Sequence, residues 1–152
     1  MLAFNRNSVG ALHSLGQCKL FAGSIEETIP LVEQAIRISP RDPQLDVWYR
    51  RIGQVHLLQS RTDEAIVWFE KARKANPEHS SSSAYLASAY ALKGETERAI
   101  AELAEARRLG GEGSWSSIAG MGRGTRYETP TIRALAEATL YDGLRKAGMR
   151  EE

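Results

Sequence analysis

Apolar residues along this chain recur at helical spacing in paired runs. In residues 46–79, Val47, Tyr49, Ile52, Val55 and Leu58 form one apolar face. Ala65, Ile66, Phe69 and Ala72 form a second, again three or four residues apart. A short polar stretch, Ser60-Arg61-Thr62, separates the two runs. Adding 34 to Tyr49, Ile52, Gly53, His56, Ala65, Phe69, Ala72 and Pro77 gives Ser83, Leu86, Ala87, Tyr90, Ala99, Leu103, Ala106 and Gly111. Subtracting 37 gives Leu12, Leu15, Gly16, Lys19, Thr28, Val32, Ala35 and Pro40. Most slots keep their chemical type, so the chain is an internal repeat. The longer first period is explained by three extra residues in Arg41–Leu45.

Each unit therefore predicts a helix, a tight turn and a second helix. Gly23-Ser24 and Lys93-Gly94-Glu95 are the other turns. Ser24-Ile25-Glu26-Glu27 reads as a capping box, with the hydroxyl and Glu27 each taking an orphan N–H. Pro40 and Pro77 stop the second helices of their units. The small slots have a steric purpose. Gly16, Gly53 and Ala87 on the first helices, with Ala65 and Ala99 on the second, let helices cross closely. Trp48, Tyr49, Trp68, Phe69, Tyr85 and Tyr90 fill the grooves beside them.

The ordered set Tyr49-x2-Ile52-Gly53-x2-His56-x8-Ala65-x3-Phe69-x2-Ala72-x4-Pro77 resembles a tetratricopeptide repeat (TPR). The first unit departs from that pattern at Lys19 and Thr28, the third at Ser83 and Gly111. The resemblance implies an all-α, α-α superhelix of about three helix-turn-helix repeats plus a C-terminal capping helix. The expected division is 9–45, 46–79 and 80–113 for the repeats, 114–129 for a Gly/Ser-rich connector, and 130–152 for the capping helix. Residues 1–8 read as the tail of a preceding repeat, because Leu2–Asn7 aligns with Ile36–Arg41. A chain cut inside a longer array is the corresponding expectation. In the connector, Trp115, Ile118 and Met121 are the apolar anchors. Thr129-Pro130 predicts an N-cap with proline at the first helical position. Ile132, Leu135, Ala136, Thr139, Leu140, Leu144 and Ala147 follow at helical spacing, and Gly148 is the expected stop.

Pro30–Pro43, His56–Pro77, Ala84–Arg108 and Gly143–Met149 also resemble the C-terminal repeat region of bacterial class III adenylate cyclases of rhizobial type. That resemblance implies a regulatory or docking arm of a larger enzyme. It assigns no catalytic residue to this chain, so the chain alone is expected not to be an enzyme.

Composition narrows the chemistry. Twenty basic against nineteen acidic residues leave a net charge of +1, with both signs balanced in every region. No basic stripe marks a nucleic-acid partner. No apolar run is long enough to span a membrane. The single cysteine, Cys18, excludes an internal disulfide and points to a reducing, cytoplasmic setting. Cys18 shares a slot with Val55 and Ala89 and is expected to be a buried thiol. His13, His56 and His79 have no metal-ligand spacing, and no cofactor or metal is expected. His56 sits where the third unit has Tyr90, so packing is its expected role. Gly120-Met121-Gly122-Arg123-Gly124 lacks the context of a phosphate-binding loop and reads as a flexible loop. Glu26-Glu27 and Glu95–Glu105 read as solvated, ion-paired helix faces.

The TPR resemblance further implies a concave groove lined by the first helices. It would carry His13, Ser14, Gln17, Arg50, Arg51, Gln54, Ser81, Tyr85 and Ser88, suited to a protein or peptide partner with carboxylates. Arg50 and Arg51 read equally as ordinary surface residues. At the slots of the family's carboxylate clamp stand His13, Gln17, Arg51, Ser81 and Tyr85, with one firm cation, which does not support a chaperone-cofactor role. Homo-oligomerisation through an exposed first repeat around Leu12, Leu15 and Leu20, or a freestanding adaptor, are the alternatives.

Overall fold

The computed structural model describes residues 6–111, 113–122 and 129–152, with no side-chain detail at 6, 7 and 122. Three helical pairs follow one another: α1 (Arg6–Phe21) with α2 (Thr28–Ile38), α3 (Leu45–Leu58) with α4 (Thr62–Ala75), and α5 (Ser80–Lys93) with α6 (Thr96–Gly110). A short helix α7 (Ile118–Gly122) lies in the connector. The C-terminal helix runs α8 (Pro130–Ala136), a π-helical segment (Glu137–Tyr141) and α9 (Asp142–Lys146). Among the described residues there is no strand, only one isolated bridge between Ser117 and Arg150. The molecule is an all-α TPR-like array.

Small residues set the spacing within each pair. A Cβ on Gly53 would lie 2.6 Å from Cδ1 and Cε1 of Phe69, so that ring rests directly on α3 backbone. In the first pair, a Cβ on Gly16 would come 3.2 Å from Val32 Cγ2. Thr28 occupies the slot of Ala65 and is fully buried. Its hydroxyl donates to the Gly16 carbonyl at 3.2 Å, which satisfies a polar atom that would otherwise be costly there. This is how the first unit tolerates its departure from the repeat pattern.

The apolar core forms two clusters. Val9, Val32, Ala35, Trp48 and Ile52 join α1, α2 and α3. A larger cluster runs from Leu20 and Ile25 through Phe69, Leu86 and Leu103 to Ile132, Leu140 and Leu144 of the C-terminal helix. Trp115 and Met121 pack at its edge, and Ile118 is buried within it.

Several local expectations change. The Ser24 hydroxyl makes no capping bond; Ile25–Glu27 form a 3₁₀ turn before α2. Glu27 is drawn instead to Lys19, 2.6 Å away, and so cannot answer as the other half of a capping box. Cys18 is exposed rather than buried. Val55 and Ala89, at the matching slots of the next two units, are buried in the large core cluster. Leu20, expected on an exposed apolar surface, is fully buried; Leu15 is exposed and Leu12 half-buried. At the C-terminal helix, Thr129 accepts a bond from the Ile132 amide, with Pro130 at the first turn. Gly148, at φ +101°, ends it through a Met149 N–H bond to Leu144 O. The π segment was not anticipated. Of the residues 1–8 expected to be the tail of a preceding repeat, 1–5 lie outside the described residues, and Arg6 to Ser8 are the first turn of α1. Arg123 and Gly124 of the glycine-rich stretch also lie outside.

Gly53→Ala should destabilise the chain by about 1–3 kcal/mol, because a methyl group must displace a core ring. Phe69→Leu in the same molecule should recover part of that loss. Chemical denaturation of both singles and the double variant checks this, with a coupling of at least about 0.5 kcal/mol expected.

Candidate functional site

The first helices α1, α3 and α5 carry the residues expected to line the groove, and the structure places them unequally. Gln17, Arg50 and Tyr85 are half-buried. His13, Arg51, Gln54 and Ser88 are buried. The expectation of an open polar surface is therefore corrected for those four.

Ser88 is shut off by the chain itself. Its hydroxyl donates to the carbonyl of Leu140 in the π segment at 2.8 Å. Gly143 sits on the same residue: a Cβ there would meet the Ser88 hydroxyl, would stand 2.5 Å from its carbonyl oxygen, and 2.9 Å from its carbonyl carbon. The C-terminal helix packs along α5 and reaches α3 through its π segment. At its start, Thr129 approaches Gly23 beyond the end of α1, where a Cβ on that glycine would lie 3.3 Å from Thr129 Oγ1. The helix expected to cap the last repeat thus crosses the first helices as well.

Arg51 lies deeper in α3. Its Nη1 donates to Gln54 Oε1 at 2.7 Å, and its guanidinium stands 5.4 Å over the Phe21 ring. His13 is tilted against Trp48 with ring centroids 6.1 Å apart. Burial, then the charges of Arg51 and Arg50, push the His13 imidazole down to about 4. His13 is therefore neutral near pH 7 and is not one of the site's cations. Burial also lowers His56, with Arg61 adding to it and Glu64 and Glu33 opposing.

Arg50 is held in a network that the sequence did not announce. Its Nη1 lies 3.1 and 3.0 Å from the two nitrogens of His79. His79 Nδ1 is 2.7 Å from Asp46 Oδ2, and Asn76 Nδ2 donates to the same oxygen at 3.4 Å. Asp46 is buried at the start of α3, so this carboxylate ties the turn between the second and third pairs to α3. Burial lowers the Arg50 guanidinium, with Tyr85 and Asp46 opposing that shift. The Tyr85 ring is fixed 5.2 Å from that of Phe69. Arg50 and Arg51 are thus not ordinary surface arginines. The one hint of the network in the sequence is Asp46 in the first turn of an apolar helix, where a carboxylate favours the N-terminus.

Tyr90 forms a second polar cluster. Its hydroxyl donates to Glu70 Oε1 at 2.6 Å, accepts from Arg98 at 2.8 Å, and Arg98 covers the ring at 4.0 Å. Burial and the bond to Glu70 push the phenol up to about 12. Among the described residues, no three His, Cys, Asp or Glu side chains converge as a metal site, and no helix is long and apolar enough to cross a membrane.

Comparison with known proteins agrees with this geometry. Two tetratricopeptide repeat models match residues 8–78 and 56–113. Together they span 8–113, and the chain belongs to the tetratricopeptide repeat family. Three solved structures share its fold. The first TPR of Spaghetti (RPAP3), bound to the HSP90 peptide SRMEEVD, aligns at TM-score 0.65 and 13% identity, covering 88% of this chain and 94% of that one. MamA aligns at 0.64 and 20%, covering 93% and 80%. The Yersinia enterocolitica type III secretion chaperone SycD, in complex with a peptide of the translocator YopD, aligns at 0.65 and 16%, covering 88% and 96%. No curated protein sequence matches the chain significantly.

The depressed His13 makes a signed prediction. Between pH 6.5 and about 4 the unfolded chain binds a proton that folded His13 refuses, so stability falls as pH drops through that window. His13 should account for at most about 3 kcal/mol of the loss. Thermal melts of wild type and His13→Leu at pH 7 and pH 4.5 check this. The variant should show the smaller loss, with the remainder including His56.

Proposed function

We propose that this chain is a protein-interaction module that receives a protein or peptide partner on its concave face. The observation that carries the reading is the arrangement of Gln17, Arg50 and Tyr85. They stand half-buried on three neighbouring first helices, with Arg50 braced by His79 and Asp46. A guanidinium already positioned and partly desolvated forms stronger bonds to a carboxylate than a freely moving one. An acidic segment is therefore the expected partner. The peptides held in the Spaghetti and SycD structures support peptide binding as a use of this scaffold. His13, Arg51, Gln54 and Ser88 support the face from beneath rather than reaching the partner directly.

The finer reading is that these repeats form the regulatory or docking C-terminal part of a bacterial adenylate cyclase-like protein acting in the cytoplasm. It rests on the sequence resemblance of Pro30–Pro43, His56–Pro77, Ala84–Arg108 and Gly143–Met149. In that reading the chain contributes contacts and no catalytic group.

Two measurements test these readings. Acidic peptides selected on the intact chain should lose at least about tenfold in affinity on Arg50→Glu, as expected for a lost charge-assisted contact. Circular dichroism must show that variant folded. Binding unchanged in Arg50→Glu, Gln17→Ala and Tyr85→Ala would remove the groove. An immunoblot of source cells should show a band well above the 16.8 kDa of this chain if a cyclase-like parent exists; a band at that mass would contradict it.

A further inference from the structure

His79 stands between the two charges of the Arg50 region. It is the N-cap residue of α5, yet its side chain makes no capping bond to that helix. The ring turns to α3 instead. Its Nδ1 lies 2.7 Å from Oδ2 of the buried Asp46. That contact assigns the proton of the neutral ring to Nδ1, which donates to the carboxylate. Arg50 Nη1 lies 3.1 Å from Nδ1 and 3.0 Å from Nε2. An atom almost equally close to both nitrogens rests over the ring, not on the line of either lone pair. A neutral imidazole receives a guanidinium on its face as other aromatic rings do. An imidazolium does not, because two like charges are then in contact.

The ring has room for a second proton. With Nδ1 committed to Asp46, Nε2 is the nitrogen left to take it, and the side chain is 32% exposed to water. Helix α3 supplies Asp46 and Arg50, α5 supplies Tyr85, which acts on Arg50, and the turn supplies the neutral Asn76. Glu78, next in the chain, acts on Arg108 of α6. Protonation of His79 would strengthen its bond to Asp46 and set two cations side by side. An anion brought to Arg50 relieves that repulsion. A carboxylate bonded to this guanidinium comes to rest inside the screening distance of about 8 Å from His79 at physiological salt. We propose that the Arg50 site takes an acidic partner and a proton together, with His79 Nε2 as the proton's acceptor. Each tightens the binding of the other, by the reciprocity of linked equilibria. This rests on the acidic-partner reading above and adds its regulation. The partner is held more firmly as pH falls from about 8 to about 5.5, the range in which histidine changes charge. His13, held down to about 4, stays neutral there.

A hexa-aspartate peptide is the probe, because its carboxylates stay ionised above about pH 5. Isothermal titration calorimetry on the intact wild-type chain, in two buffers of different ionisation enthalpy, should show proton uptake on binding. Affinity should be about fivefold higher at pH 5.5 than at pH 8. His79→Gln, checked for a cooperative melt, should bind without proton uptake and with affinity nearly independent of pH. A second measurement needs neither the peptide nor that variant. Followed by NMR, His79 should protonate at higher pH in Arg50→Gln than in wild type, because the neighbouring cation is gone. Arg50-dependent binding of the probe without proton uptake would overturn the proposal and leave the acidic-partner reading intact. So would proton uptake that persists in His79→Gln, or a His79 titration unmoved in Arg50→Gln. Probe binding that Arg50→Glu leaves unchanged would instead sink the acidic-partner reading, and this proposal with it.

Discussion

Close approach of one helix to the bare backbone of another is the constraint on which this structure depends. Phe69 can lie on α3 only because Gly53 has no side chain, and the C-terminal helix can lie on α5 only because Gly143 has none. The first contact fixes the spacing within the middle repeat, from which the neighbouring pairs take their positions. The second sets the last helix against Ser88, deep enough to bury its aliphatic residues. Dispersion and apolar burial accumulate only at such distances, and a gap of an ångström forfeits much of the gain.

The polar residues of the concave side follow from that packing. Once the last helix is seated, Ser88 is enclosed with Leu140 O as its acceptor, while Arg51 is held by Gln54 and the Phe21 ring. Arg50, further from the seat, is organised by His79 and Asp46 and keeps part of its surface free. The face thus divides into a region already filled by a helix and a region with a braced cation.

The repeat was readable in the sequence because its information is local. The spacing of Tyr49, Ile52, Gly53, Ala65, Phe69 and Ala72 recurs on both sides, and helical periodicity converts it directly to paired helices. The proline and glycine stops were readable for the same reason. What the sequence hid depends on tertiary placement. Ser24 has the right neighbours for a capping box, yet the chain enters α2 through a 3₁₀ turn and Lys19 draws Glu27 away. Cys18 has the slot of Val55 and Ala89, which are buried, yet it is exposed on the first helix, because the repeat pattern records a residue's own slot and not the surroundings of that helix. The helices that carry the candidate groove residues were legible from the repeat. Four of those nine residues are buried, and the enclosure of Ser88 required knowing where residues 130–147 come to rest, since nothing in their periodicity states which surface they choose. Gly143 was the available signal: a glycine inside an otherwise good helix usually has a packing reason.

Amide hydrogen exchange on the intact chain at neutral pH, read by mass spectrometry over residues 132–147 and 80–93, tests the occupied concave face most directly. Seated against α5, residues 132–147 should be protected to a degree comparable with α5, and Gly143→Val should strip protection from 132–147 while α5 keeps most of its own. Rapid exchange of 132–147 in the wild-type chain, beside a protected α5, would contradict the account.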